Sequence, residues 1–297
     1  MLLLSGSSNR PLADSLAQAL NISPVAVEID RFSNGEKKVT IKSDVYGQNI
    51  ILVQSFSQPV DENIMEFLLL ADALERMGAR HVNAIIPWLG YSLQDKVFTP
   101  GEPMSAKVVA DLISSVYIKR VVLMDLHNNS IPGFFSVPTQ LLSAKDIFVD
   151  YVKQNLNQNL VVCSPDFGGL KRARDFATAL GVDLVNIDKQ RDLATGAITS
   201  VSVHGAVTGK NVVLYDDCIV GGGTVVETAK VLKEQGAVSV HFLATHGLLV
   251  QDAPTKLMAS MVDSVVITNS VAHDSLPAKF KVLDVAPVLA SVMKGWI

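Results

Sequence analysis

Apolar residues in this chain gather into short continuous runs, separated by longer stretches with a helical period. NIILV (49–53), HVNAII (81–86), RVVLM (120–124), LVVCS (160–164), DLVNI (183–187), NVVLY (211–215), VHFLA (240–244) and SVVIT (264–268) are rich in valine and isoleucine. Runs of this kind are expected of strands covered on both faces. Between them, DENIMEFLLLADALERMG (61–78) and TVVETAKVLKEQG (224–236) read as helices, each closed by a glycine, a natural helix stop. The alternation predicts an α/β protein with largely parallel sheets.

The pattern repeats at a distance. ALERMGARHVNAIIP (73–87) and VLKEQGAVSVHFLAT (231–245) both read as helix end, Gly-Ala, then strand. This grammar is common in α/β proteins, but 297 residues also suit two domains of ordinary size. The domain boundary is expected near 140–145, after the Pro- and Gly-containing stretch IPGFFSVPTQ (131–140), which predicts domains at 1–143 and 144–284, with 285–297 packing back on the first.

Composition narrows the function. Hydrophobic residues make up 48% and charged residues 18%, so there is ample material for buried cores and no case for disorder. A net charge of -4 argues against a dedicated nucleic-acid binder. The two cysteines, Cys163 and Cys218, have neither disulfide-framework nor metal-ligand spacing. Cys218 stands beside two aspartates, which disfavour a thiolate nucleophile. The leading MLLLSGSSNRP lacks the features of a signal peptide, and no run is long enough to span a membrane. The expectation is a soluble cytoplasmic protein with no membrane partner.

The segment NVVLYDDCIVGGGTVVET (211–228) carries the clearest chemistry. Adjacent carboxylates repel, so Asp216 and Asp217 at a strand end are unfavourable unless cations or sugar hydroxyls engage them. Gly221, Gly222 and Gly223 allow close backbone approach and can form an anion-binding concavity. Thr224 and the helix start add a hydroxyl and a favourable dipole. A plain helix cap is the simpler use of the same residues; a sugar phosphate is the sharper one. The chain has no G-x-x-x-x-G-K-[ST], and GGGTVV lacks the third glycine of a dinucleotide fingerprint.

This segment resembles the phosphoribosyl-pyrophosphate loop of type I phosphoribosyltransferases. RFSNGE (31–36), PWLGYSLQDKVFTPGEP (87–103), MSAKVVADLISSV (104–116), MDLHNNSIPGFF (124–135), SPDFGGLKRA (164–173) and IDKQR (187–191) follow in the order found in the ribose-phosphate pyrophosphokinase family. The resemblance covers nearly the whole chain. It implies two type I phosphoribosyltransferase-like domains with the active site between them, ATP on the first and ribose 5-phosphate on the second, and synthesis of phosphoribosyl pyrophosphate. It further implies that Phe32, Asn34 and Glu36 contact adenine from a neighbouring subunit of a homo-oligomer, and that Gln94 and Asp95 face ATP. His127 and Asp166 would be Mg²⁺ ligands, direct or through water. Gly168 and Gly169 would offer backbone donors near the pyrophosphate. Lys189 and Arg191, in a polar stretch that reads as a mobile loop, would neutralise charge on the transferred group.

The chain departs from the family pattern at four places. Leu93 replaces an arginine before Gln-Asp, Val97 a basic residue, and Gln190 the middle arginine of the loop. Val220-Gly221 stands where the family has Asp-Thr. Each lost hydrogen bond to a charged group is worth roughly 1.5–3 kcal/mol. These losses leave a substrate-binding regulatory paralogue as the alternative to an active enzyme.

Overall fold

The computed structural model describes residues 1–156, 159–165, 168–191, 198–293 and 295. The chain divides into two compact units. One comprises Met1–Ser143 with Asn269–Ala272 and the stretch from Asp284, the other Ala144–Thr268 with His273–Leu283.

The first unit begins with β1 (Leu2–Ser5), α1 (Arg10–Leu20) and a hairpin of β2 (Val27–Arg31) and β3 (Lys37–Ile41). Then come β4 (Asn49–Val53), α2 (Val60–Arg76), β5 (His81–Ile86), α3 (Ser105–Ser115), β6 (Arg120–Met124), a 3₁₀ turn at Ile131–Phe134 and β7 (Thr139–Leu142). Its sheet is parallel throughout, in the order β1-β4-β5-β6-β7. Asn9 starts α1: its side chain accepts from the Leu12 amide and donates to the Asn269 carbonyl, which satisfies helix donors that lack intrahelical partners. The apolar runs of β4 to β6 are buried, with Phe56 and Phe67 meeting edge to face at 5.4 Å in the core.

In the second unit α4 (Lys145–Asn155) precedes β8 (Leu160–Ser164), α5 (Leu170–Leu180), β9 (Asp183–Arg191) and β10 (Ile198–His204). β11 (Asn211–Ile219), α6 (Gly223–Glu234), β12 (Ser239–Gly247), α7 (Ala253–Ala259), β13 (Ser264–Thr268) and β14 (Phe280–Leu283) complete it. The order is β10-β9-β8-β11-β12-β13-β14, parallel except for the β9–β10 pair. Tyr215, fully buried, stacks on Phe176 at 4.1 Å and meets Phe148 edge-on. That contact ties α4 and α5 to the sheet.

The two units share one plan. β1-β4-β5-β6-β7 corresponds strand for strand to β8-β11-β12-β13-β14, with an antiparallel strand pair inserted after the helix that follows the first strand of each. Gly78 and Gly236, the matched glycines of the sequence echo, both have positive φ, +77° and +88°. α4 packs on α5, and α8 (Ala286–Met293) packs on α1.

One expectation needs correction. The polar stretch holding Lys189 and Arg191 is not a loop at those positions: β9 extends through both, pairing with Val201 and Ile198 of β10. The sequence reading sought continuous apolar runs, whereas an antiparallel arm needs only its ladder and tolerates polar alternation such as ITSVSVH. Thr139–Leu142, which did not stand out in the sequence, forms the fifth strand of the first sheet.

Candidate active site

The acid pair belongs to β11, which runs four residues beyond the apolar run that predicted it. Asp216 sits opposite Ala244 of β12, and Cys218, half-buried and in no disulfide, opposite His246. Asp217 is buried, only 2% exposed. What makes the pair tolerable is Arg172 of α5. Its Nη1 donates to Asp216 Oδ1 at 2.7 Å and to Asp217 Oδ1 at 2.8 Å. Sequence reading passed over Arg172, although there was a signal. Lys171 and Arg172 stand in the first turn of α5, which has no acidic residue, and a cation there opposes the helix dipole unless it has an acidic partner.

Past the acids, Gly222 takes φ +73° as the cap of α6, where a side chain would be strained and its Cβ would meet Leu257 at 3.3 Å. A Cβ at Gly221 or Gly223 would meet nothing within 4 Å. The backbone before α6 is thus bare, with open space at two of three positions, and Thr224 follows in the first helical turn.

The location fits the topology. Chain order reverses between β8 and β11, and ligands of open α/β sheets bind outside the carboxyl ends of strands at such a switch point. The matching crevice of the first unit, between β1 and β4, is filled from within. There the carboxylate of Glu66, fully buried on α2, accepts from the Ser7 amide (2.6 Å), the Ser7 hydroxyl (2.7 Å), Gln54 Nε2 (3.1 Å) and Lys37 Nζ (2.7 Å). Burial raises the Glu66 pKa, but the bonds from Lys37 and Ser7 outweigh it and hold the carboxyl below its usual value. It is therefore ionised at neutral pH. The first unit's crevice is filled by its own side chains; in the second, the loop after β11 has open space at Gly221 and Gly223.

The residues expected to face the nucleotide fall in two places of the first unit. Phe32, Asn34 and Glu36 form the tip of the β2–β3 hairpin. There the Phe32 amide donates to the Glu36 carbonyl at 2.9 Å and the Glu36 amide to Asn34 Oδ1 at 3.2 Å. Phe32 is half exposed, with Lys38 Nζ 5.7 Å from its ring centre. Gln94 and Asp95 lie beyond β5. Gln94 accepts from the Ser105 hydroxyl, and its carbonyl accepts from the Ala106 amide at 3.1 Å, so it closes the start of α3. Asp95 accepts from Asn128 Nδ2 at 2.5 Å, which joins this segment to the loop carrying His127. The first turn of α2 braces both places: Glu62 takes Arg31 of the hairpin, and Asp61 takes the Tyr91 hydroxyl. Tyr91 adopts φ +66°, a sparsely populated conformation for a side-chain-bearing residue that clusters at functional sites.

His127 is exposed on the loop after β6, where Asp125 at φ +33° turns the chain. Asp166 lies outside the described residues, between β8 and α5 in the sequence. Lys189 and Arg191 are two positions apart on β9. Among the described residues no group of three or more His, Cys, Asp or Glu could hold a metal ion. Mg²⁺ keeps several waters and takes phosphate oxygens from its substrate, so a site for it needs few protein ligands. No helix among the described residues is long and apolar enough to cross a membrane.

Residues 1–116 match the family model described as the N-terminal domain of ribose phosphate pyrophosphokinase, and residues 194–295 match the phosphoribosyl synthetase-associated domain. The chain is 42% identical over 292 residues to a ribose-phosphate pyrophosphokinase of Helicobacter hepaticus, covering 98% of this chain and 94% of the relative. It is 38% identical over 296 residues to the enzyme of that name from Thermotoga maritima, again covering 94% of the relative. The structure superposes on phosphoribosylpyrophosphate synthetase from Mycobacterium smegmatis with a TM-score of 0.93 at 35% identity, covering 99% of this chain and 98% of the other.

Proposed function

The chain belongs to the ribose-phosphate pyrophosphokinase family, and on that premise we propose that it transfers the pyrophosphoryl group of ATP to the anomeric hydroxyl of ribose 5-phosphate. The products are AMP and phosphoribosyl pyrophosphate. The observation that carries this reading is the Asp216–Asp217 pair held by Arg172 at the open switch point, followed by the bare backbone of residues 221–223.

Each part has a task. The acid pair accepts hydrogen bonds from ribose hydroxyls, with Arg172 fixing Oδ1 of each carboxylate in place. The amides of residues 221–224 and the dipole of α6 take the 5-phosphate. In the first unit the tip residues Phe32, Asn34 and Glu36 bind adenine, the phenylalanine by stacking, for the site of a second copy of the chain. Gln94 and Asp95 hold the rest of the nucleotide. Bond making at the β-phosphorus needs no covalent enzyme intermediate. The anomeric oxygen attacks, AMP leaves, and rate depends on alignment and on cations facing the charge that spreads over the transferred group. Lys189 and Arg191 supply that charge. His127 and Asp166 would hold Mg²⁺, which when bound would neutralise phosphate oxygens.

The test is AMP release from ATP with Mg²⁺, with and without ribose 5-phosphate. The reading predicts release that depends on the sugar phosphate and falls by several orders of magnitude in Lys189→Ala. Absence of sugar-dependent AMP at saturating substrates contradicts it.

A further inference from the structure

An isolated two-stranded hairpin is marginally stable in water, and the one carrying Phe32, Asn34 and Glu36 is a separate two-stranded sheet. Something must fix its tip. Its apolar contribution is modest: Val27 and Val39 are only partly buried against the first unit's core, with Ile41 fully so at the far end from the tip. Near the tip two ionic attachments reach α2. Arg31 to Glu62 joins two exposed side chains, and such pairs contribute little. Lys37 is different. It directly follows Glu36, is 13% exposed, and places Nζ 2.7 Å from the fully buried Glu66 and 3.9 Å from Glu62. Glu66 is itself held by the Ser7 amide and hydroxyl and by Gln54. The chain from these fixed points at the ends of β1 and β4 to the tip of the hairpin is therefore one ion pair and one peptide bond long.

We propose that the Lys37–Glu66 pair, seated in the filled crevice of the first unit, is a mount that sets the position of the nucleotide-contacting hairpin tip. This rests on the reading above that the tip binds adenine. Lys37 and Glu66 touch no substrate in this account; they are positioning residues. Breaking the pair leaves the hairpin paired but frees its tip, so binding of the nucleotide weakens while the chemistry at phosphorus, served by other groups, continues. The charged side chains facing Lys37 from the packed elements are Glu62 and Glu66 of α2.

The experiment compares steady-state constants for Lys37→Met, Lys37→Arg, the double variant Lys37→Met/Glu66→Gln and Phe32→Ala in the full-length chain. The double variant matters because Lys37→Met alone leaves a buried charge without its cation, which is strongly destabilising. The mount predicts that KM for ATP rises about tenfold in Lys37→Met and in the double variant, as expected for loss of binding that is uniform between ground and transition states. KM for ribose 5-phosphate and kcat stay within about twofold, and Lys37→Arg recovers most of the ATP affinity. An unchanged KM for ATP in the folded double variant overturns the proposal. So does a parallel rise in both KM values with a lowered melting temperature, which would mean general stability rather than positioning. If Phe32→Ala leaves KM for ATP unchanged, the adenine reading fails instead; if Phe32→Ala raises it and the Lys37 variants do not, only the mount fails.

Discussion

Asp216 and Asp217 coexist on one strand because a single guanidinium nitrogen serves both, and that makes Arg172 the residue on which the sugar site most depends. Removing one partner of a buried ionic group leaves the other uncompensated, at a cost of about 3–5 kcal/mol. Asp217, buried at 2% exposure, is the group left behind. Arg172→Met is therefore expected to raise KM for ribose 5-phosphate at least tenfold with a much smaller change in KM for ATP, read from initial rates with each substrate varied. Lys189→Ala should instead lower kcat. At this scale the sequence disclosed the residues that break a local rule. Two neighbouring carboxylates and a glycine triplet are locally unfavourable, so they draw the eye. Arg172 and Lys37 were missed because their meaning lies in partners 45 and 29 residues away, which no local spacing reveals. The placements of Phe32, Gln94, His127 and the others came from motif resemblance, since each alone reads equally well as a turn or surface residue.

The loop from β11 to α6 separates positions that look identical in sequence. Gly221 has ordinary backbone angles and open space, while Gly222 has φ +73° with Leu257 close by. Placing a hydroxyl there, Gly221→Thr, is expected to fit and to lower KM for ribose 5-phosphate about tenfold, the worth of one added hydrogen bond to a charged group. Gly222→Val should lose the site and lower the melting temperature; calorimetry and initial rates distinguish the two. Elements with continuous apolar cores were legible to the residue: β4, β5, β6, β8 and β13 have the bounds their sequences predict. β1, β7 and β14, four residues each, are too short to stand out, and the β9–β10 arm escapes because polar residues alternate through it, as in ITSVSVH, in place of a continuous apolar run.

Across the molecule, the α/β class and the largely parallel sheets followed from alternation alone. The repeat was visible as one faint echo, and its consequence was not: one plan built twice, with one crevice filled by Glu66 and the other ending in the acid pair and the glycine loop. The second unit also carries two half-buried histidines. His241, bound to Ser264 and Ser239, and His273, bound to the Gly247 carbonyl, are both pushed below the ordinary imidazole value by burial. The unfolded chain then binds more protons than the folded one, so stability is present above about pH 6.5 and drains away as pH falls towards the lowered folded values. Glu66 and Asp263, held low as carboxylates, lose their contribution only in the more acidic range, below about pH 4.5. Melting temperatures should therefore drop between about pH 7 and 5, and His241→Gln with His273→Gln should flatten that slope. The central claim, an open sugar-phosphate site at the carboxyl end of β11, is tested most directly by a crystal structure with ribose 5-phosphate bound. The account predicts ribose hydroxyls within hydrogen-bonding distance of Asp216 and Asp217 and the phosphate against the amides of residues 221–224; a sugar phosphate seated elsewhere, with that loop bare, contradicts it.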